Sequence, residues 1–309
     1  MAEITAALVK ELRERTSAGM MDCKSALVEA NGDLEEAVKV LRKKGLAAAG
    51  KKAGRIASEG VVYAGLVGKK GIIVEVNCET DFVAKTPQFQ ELVKGIAEFA
   101  ATSNASDVDS LLKEKWTGDS EGHELSQMIA GKIATVGENI SVRRFVRYNG
   151  TDKSLFGSYV HGGGKIGVLV ELQAAAKSSD PEMASIARDV AMHIAAAEPR
   201  FARRDEVTEK DLETEREIAR DAALKSGKPE AVVEKIVTGK MEKYYGENVL
   251  IEQAFVKDNT ATVGQMMQKK AKDLGTTLEV ARFTRFKLGE GLQKKTDDFA
   301  GEVMAQAGR

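Results

Sequence analysis

Apolar positions along the chain switch between a helical and a strand period, and each switch marks an element. Ile4, Leu8 and Leu12 recur at helical spacing, and a break at Ser17-Ala18-Gly19 places Met20-Met21 in a turn. A second helix through Ala26 and Leu27 stops at Asn31-Gly32, after which Asp33 can cap a third that carries Leu34, Val38 and Leu41. A unit of about forty residues has a marginal core and is expected to dock elsewhere on the chain. Met20 and Met21 either plug that small core or face a partner, since adaptable methionines suit both. From Lys43 to Arg55 the residues are small and basic, with Leu46 the only bulky apolar one, which reads as a linker, partly helical at most.

Strand patterns follow, and they are duplicated. Gly71-Ile72-Ile73-Val74-Glu75-Val76 aligns without gaps with Gly167-Val168-Leu169-Val170-Glu171-Leu172, 96 residues further on. Gln127-Met128, Lys132, Gly137, Val142, Arg144-Phe145, Arg147 and Tyr148 match Gln265-Met266, Lys270, Gly275, Val280, Arg282-Phe283, Arg285 and Phe286, 138 residues further on. Such register signals one structural unit used twice. Each copy reads as a hairpin, two helices and a closing strand. The first has strands over 61–66 and 72–76, helices near 88–101 and 123–136, and a strand over 140–148. The second has strands over 157–161 and 166–172, helices near 182–197 and 262–274, and a strand over 278–286. Small antiparallel sheets with helices on one face make the class α+β.

The difference between the two spacings, 42 residues, is an insertion over about 200–245. It is highly charged and turns at Ser226-Gly227-Lys228-Pro229, with Val207, Leu212, Ile218 and Ala222 before the turn and Val232, Val233, Ile236 and Met241 after it. One thin apolar stripe per helix predicts a projecting helical hairpin, closed on itself or shared in a homodimer. Residues 296–304, which contain Phe299, read as a short amphipathic helix. The domains are therefore 1–54 (helical unit and linker), 55–150 (first core copy), 151–290 (second copy with its insertion) and 291–309 (C-terminal module).

Composition narrows the function classes. The 309 residues are 43% hydrophobic and 30% charged, and 46 Lys and Arg against 47 Asp and Glu leave a net charge of −1. No global field marks a general nucleic-acid binder. Cys23 and Cys78 have neither metal spacing nor a disulfide framework, which fits a reducing compartment. The N-terminus lacks the pattern of a secretion signal and no run of roughly 18 apolar residues occurs, so the expected location is the cytoplasm, without membrane contact.

Catalytic motifs fail on context. No Gly-Lys pair is followed by Ser or Thr as a phosphate loop requires, and Gly162-Gly163-Gly164-Lys165-Ile166-Gly167 precedes a strand rather than opening a helix. A hairpin turn accounts for those glycines. His123, His161 and His193 are scattered, without metal-site spacing. His193 reads as a helix residue near the core. No catalytic residue, metal or cofactor is expected.

What remains is Cys78-Glu79-Thr80-Asp81-Phe82-Val83-Ala84-Lys85, where the strand pattern stops and an aromatic stands behind two acids. From the residues alone three readings stay open. Thr80 or Asp81 caps a helix while Phe82 staples it to the sheet, which is the simplest; Phe82 is a wedge aimed at a partner; or the carboxylates act in acid–base chemistry with His161. The second copy has Ser178 where the first has Phe82, so the repeated module does not itself require an aromatic. Separately, the alternation in Arg143-Arg144-Phe145-Val146-Arg147-Tyr148 suits single-stranded RNA or a solvated basic face.

Four stretches together resemble the bacterial elongation factor Ts family: Arg15-Thr16-Ser17-Ala18-Gly19-Met20-Met21-Asp22-Cys23-Lys24, Thr80-Asp81-Phe82-Val83-Ala84-Lys85, Gly137-Glu138-Asn139-Ile140-Ser141-Val142-Arg143-Arg144 and Gly157-Ser158-Tyr159-Val160-His161-Gly162. The resemblance spans essentially the whole chain. It implies a ubiquitin-associated-like N-terminal domain, a two-part core, a coiled-coil arm and a C-terminal module. It further implies a guanine-nucleotide exchange factor for elongation factor Tu, binding its GDP-bound and nucleotide-free forms, with no bond chemistry and no direct nucleic-acid contact. Thr80, Asp81, Phe82 and Val83 would then dislocate the partner's Mg²⁺. Val136 and Gly137 would support the intrusion, Met20, Met21 and Phe299 would meet the G domain, and His161 would meet another domain. The polar spacer 101–121 is longer than in shorter family members.

Overall fold

The computed structural model describes residues 4–16, 18–118, 122–175, 181–227 and 229–293. They form two compact units, one made of the chain up to Val62, Val74–Phe145 and the chain from Lys287, the other of Tyr63–Ile73 and Val146–Phe286. Among the described residues no helix is long and apolar enough to cross a membrane.

The chain begins with helices α1 (Ala6–Thr16), α2 (Met20–Glu29) and α3 (Leu34–Lys52). Their core is Val9, Leu12, Cys23, Ala26, Leu27 and Ala37, and Asp33 caps α3 by accepting the Glu36 N–H at 2.9 Å. Strands β1 (Glu59–Val67) and β2 (Lys70–Cys78) turn at Gly68, whose φ of +60° suits glycine. Helices α4 (Asp81–Ala84), α5 (Pro87–Thr102), α6 (Val108–Lys113) and α7 (Leu125–Val136) precede β3 (Ile140–Asn149), and the strand order is β1-β2-β3.

One expectation is corrected here. The small, basic stretch after Lys43 is not a linker but the second half of α3, and it packs on α7. Its small residues serve that contact: Gly45 is buried, and a Cβ there would stand 3.7 Å from both the Ala130 carbonyl oxygen and the Ala134 methyl. The N-terminal unit thus docks through an alanine- and glycine-lined approach that carries no large apolar signature. The described part of the spacer, 101–118, also folds. Asp107 and Ser110 form a capping box for α6, Leu111 is buried, and Trp116 lies 5.1 Å from Phe99, ring to ring.

In the second unit β4 (Ser154–His161) pairs antiparallel with β5 (Ile166–Ala174), with Gly157 opposite Val170 and His161 opposite Ile166. Helix α8 (Pro181–Ala197) packs on both, burying Met183, Ile186, Val190 and Ile194 against Val168, Val170 and Leu172. Gly157 is required by this contact, because a Cβ there would fall 2.1 Å from the Ala187 carbonyl oxygen. Helices α9 (Glu209–Lys225) and α10 (Glu230–Asn248) are the insertion. A short hairpin of β6 (Ala254–Phe255) and β7 (Asp258–Thr262), absent from the sequence reading, leads to α11 (Val263–Asp273) and β8 (Leu278–Lys287), and the sheet order is β4-β5-β8.

Both copies therefore place the closing strand beside the second strand of the hairpin, and a repeated ion pair explains part of the duplication. Buried Glu75 on β2 accepts from Arg144 Nε at 2.7 Å and Arg143 Nη1 at 2.9 Å; buried Glu171 on β5 accepts from Arg282 Nε at 2.7 Å. In the insertion, Leu212, Ala219 and Ala223 of α9 meet Val233, Val237, Met241 and Tyr244 of α10. The expected stripe is half right: Val207, Leu212, Val233 and Met241 are buried and Ile236 partly so, whereas Ile218, Ala222 and Val232 are exposed. On a helix of 3.6 residues per turn, Ala219 and Ala223 share the face of Leu212 and their larger neighbours do not. His193 is fully buried in α8. Its Nδ1 accepts from the Val256 N–H at 3.3 Å, its Nε2 lies 2.9 Å from Gln253 Oε1, and burial holds its pKa below the ordinary histidine value despite the Gln253 bond.

Candidate functional site

Strand β2 ends at Cys78, and within a few residues the backbone becomes a single helical turn. Thr80 is extended (φ −127°, ψ 152°) and caps α4, its Oγ1 accepting the Val83 N–H at 3.3 Å. A second cap follows at once: Thr86 Oγ1 accepts from Phe89 N–H at 3.3 Å and Pro87 opens α5. Two threonine caps six residues apart leave α4 as a rigid corner between sheet and helix.

That corner directs Phe82 outward. Ala84 is the buried residue of α4, and at 100° per residue a side chain two positions earlier points nearly the opposite way. Phe82 is 80% exposed. The stapling expectation is thus half overturned: Thr80 makes the cap, but Phe82 does not pack on the sheet. Asp81 accepts from Lys85 Nζ at 2.6 Å one turn on, and Val83 is half-buried.

The corner is tied to the segment between α7 and β3. Glu138 receives three donors: the N–H groups of Glu79 (3.1 Å) and Thr80 (3.0 Å) on Oε2, and the Thr80 hydroxyl (2.6 Å) on Oε1. Glu79 reciprocates, its Oε1 accepting the Asn139 N–H at 2.7 Å and facing Arg55 Nη1 at 3.3 Å. The Asn139 amide in turn donates to the Arg55 carbonyl at 2.9 Å. Gly137 makes this turn possible as the left-handed cap of α7 (φ +86°). Val136 and Gly137 are thereby held to the Phe82 corner, and Val136 is 37% exposed. The Cys78 thiol donates to the Thr80 carbonyl at 3.2 Å, and burial, with the Glu138 charge adding to it, pushes its pKa up to about 12. It is a neutral buried donor, not a nucleophile.

The other expected residues belong to other elements. Met20 and Met21 form the first turn of α2 rather than a loop and are 57% and 73% exposed, which decides against the core reading. His161 lies in the second unit, exposed at the β4–β5 turn, with Nδ1 at 3.1 Å from the Tyr159 hydroxyl; the three glycines after it have positive φ, as a hairpin turn requires. Phe299 and the expected C-terminal helix lie outside the described residues, as do residues 176–180, which contain Ser178. The basic–aromatic strand is a poor base-stacking platform: Arg143 and Arg144 are engaged by Glu75, and Tyr148 is buried with its hydroxyl 2.6 Å from that of Thr284. Sequence reasoning weighed Glu79 only as an acid–base carboxylate, not as a tie to another segment, and gave Glu138 and Asn139 no role. Glu138-Asn139 stands directly after a predicted helix end, but nothing local reveals partners nearly sixty positions away.

Comparison with known proteins decides the family. The family model described as "Elongation factor TS" matches residues 79–290, a span that includes the Phe82 corner and the Glu138 turn. The chain belongs to the elongation factor Ts family. It is 49% identical over 308 residues to the elongation factor Ts of Clostridium perfringens strain 13, covering 99% of this chain and 100% of that protein. It is 50% identical to that of Clostridium botulinum strain Okra (98% of each chain) and 49% identical to that of Syntrophotalea carbinolica (97% and 98%). Membership places the chain among translation elongation factors. Met20 and Met21 fall outside the family model's span but inside these near full-length matches.

Proposed function

We propose that this chain binds elongation factor Tu in its GDP-bound and nucleotide-free states and accelerates GDP release, with Phe82 as the wedge. The observation that carries the reading is a phenylalanine 80% exposed on a one-turn helix whose ends and flanks are hydrogen-bonded into the body of the unit. A large apolar side chain held in water gains free energy when a partner covers it, about 1.5–3 kcal/mol for full burial. A rigid corner loses little conformational freedom on docking, so most of that gain is available.

Exchange then follows from competition. GDP and Mg²⁺ hold each other, because the cation screens the phosphates and bridges them to the protein. Phe82, with Asp81 beside it, displaces the partner's groups that hold the cation, and Thr80 and Val83 shape the corner. Val136 and Gly137 back the intrusion, Met20, Met21 and Phe299 extend the contact on the G domain, and His161 meets a different domain. Reciprocity makes GDP and this chain weaken each other equally, and 1.5–3 kcal/mol corresponds to roughly a ten- to hundredfold loss of GDP affinity. No bond is made or broken. The ubiquitin-associated-like character of α1–α3 and the coiled-coil character of α9–α10 belong to the same reading.

The deciding experiment is release of labelled GDP from purified elongation factor Tu with and without this protein. Acceleration that saturates with added protein is expected; none at saturation would sink the reading.

A further inference from the structure

We infer that Glu138 is a positioning residue that sets the angle at which Phe82 is presented, and that its carboxylate, rather than its size, does so. The inference rests on the exchange reading above and extends it to a residue that never needs to touch the partner.

The donors and acceptors at the corner balance only with a carboxylate at position 138. Three donors converge on Glu138: two backbone N–H groups on one oxygen and the Thr80 hydroxyl on the other. A carboxylate has acceptor sites only, so it satisfies all three; an amide of the same shape has a single acceptor oxygen and turns an NH₂ toward the remaining donor or donors. The Thr80 hydroxyl is likewise used on both sides, accepting the Val83 N–H at the start of α4 and donating its own hydrogen bond to Glu138 at 2.6 Å. The first turn of α4 is therefore the end of a chain running Val83 N–H to Thr80 hydroxyl to Glu138 carboxylate. Charge-assisted bonds of this kind are the short, strong ones, and they fix direction as well as distance.

The second strap gives the anchor its stiffness. Glu79 returns a carboxylate to the Asn139 N–H at 2.7 Å, so the strand exit and the α7–β3 turn are cross-linked in both directions, with each partner supplying one acid and at least one backbone donor. One bond would leave the corner free to rotate about it. Four bonds in two directions do not. Phe82 has no contact of its own that holds it against the unit, since it is 80% exposed, so its direction is inherited from the corner. Rigid support behind a functional group is what converts a side chain that is present into one that is in register with its target.

The test is a double-mutant cycle with a partner-free readout beside it. Glu138→Gln and, separately, Thr80→Val are made in the full chain with Phe82 intact and in the Phe82→Ala background. For each protein the maximal GDP release rate from elongation factor Tu and the backbone amide exchange of residues 79, 80 and 83 are measured. With Phe82 present, Glu138→Gln is expected to lower the maximal rate at least about tenfold, the scale of one lost charged hydrogen bond. In the Phe82→Ala background the same change is expected to cost less than about twofold, because a residue acting through Phe82 has nothing left to act on. Amides 79 and 80 are expected to exchange at least about tenfold faster in Glu138→Gln while those of Ile96 and Ala97 in α5 keep their protection.

Equal losses in both backgrounds would overturn the inference, as would no loss in either. Global loss of protection would assign Glu138 a purely structural role and overturn it too. Thr80→Val carries the same cycle if Glu138→Gln fails to fold. Should the unaltered protein give no acceleration, the exchange reading fails on its own, and unchanged amides 79 and 80 in Glu138→Gln would separately overturn the clamp.

Discussion

Phe82 and Phe89 stand in the first turns of two successive helices, each capped by a threonine, yet one is 80% exposed and the other 2%. The caps are alike to a tenth of an ångström, so local chemistry does not separate the two rings. What separates them is the continuation. After Phe89, Leu92, Val93 and Ile96 recur at helical spacing and are buried with it, so α5 has a face to bury and the ring joins it. Helix α4 is one turn long, buries Ala84, and stops before a second turn can draw Phe82 inward. The same cap serves packing in one helix and presentation in the other.

The largest expected effects test that division. Phe89→Ala should cost about 3–5 kcal/mol of folding free energy, the usual range for emptying a buried phenylalanine site. Phe82→Ala should shift the melting temperature by no more than about 2 °C, since surface substitutions stay within about 0.5 kcal/mol, while lowering GDP exchange roughly ten- to hundredfold. Thermal melts beside the exchange assay separate the pair. If Phe82→Ala destabilises as much as Phe89→Ala, Phe82 is a packing residue and the wedge is lost.

A second contrast lies between the two copies of the module. Glu75 and Glu171 occupy the same place in each, but Glu75 binds Arg143, Arg144 and the Gly289 N–H at 2.8 Å, whereas Glu171 binds Arg282, whose side chain is half exposed, and the Ser154 hydroxyl. Glu75→Ala takes the buried carboxylate from two guanidinium groups, which keep their bonds toward Lys287 and Glu290, and leaves the Gly289 N–H without its acceptor; it should cost about 3–5 kcal/mol, and Glu171→Ala should cost less. Burial pushes the Glu75 carboxyl up, but the Gly289 bond and the two arginines outweigh it and hold the pKa below the ordinary value. A depressed carboxyl stabilises the fold fully above its unfolded pKa, about 4.3, and the benefit fades as pH falls through the folded value. Urea titrations at neutral and acid pH should find the gap between the unaltered protein and Glu75→Gln narrowing below about pH 4. A gap independent of pH would mean that folding does not shift the Glu75 pKa, and a gap that widens as pH falls would mean that Glu75 is neutral in the fold.

These contrasts also show where the sequence was readable. The duplicated register placed six strands and four helices close to their observed ends, because period and turn chemistry are local signals. The repeat even contained its own explanation, since Glu75 with Glu171 and Arg144 with Arg282 were already aligned in the sequence. Burial by small residues was opaque: the second half of α3 read as a linker because its contact uses Gly45 and alanines, which no hydrophobic pattern reports. The Phe82 corner was visible as an oddity but its direction was not, and the Glu138 clamp was invisible, because its donors lie 58 and 59 residues away in sequence. Periodicity reports which residues face a core; it says nothing of which acceptor a distant backbone amide will find.

The smallest effects provide the finest test of the two caps. Removing either threonine should cost about 1 kcal/mol, the usual worth of an N-cap. Thr86→Ala removes the α5 cap and the 2.8 Å bond its hydroxyl donates to the Val83 carbonyl, but leaves the Thr80–Glu138 link intact, so its effect on exchange should be no more than its small effect on the folded fraction. Thr80→Ala removes the same kind of cap and, in addition, the hydrogen bond donated to Glu138 through which the hydroxyl orients Phe82. Two variants with matched stability losses should therefore differ about tenfold in exchange, the scale of a hydrogen bond to a charged group. If they exchange GDP equally well, the threonine ahead of Phe82 is a cap like any other, and the direction of the ring must be set elsewhere.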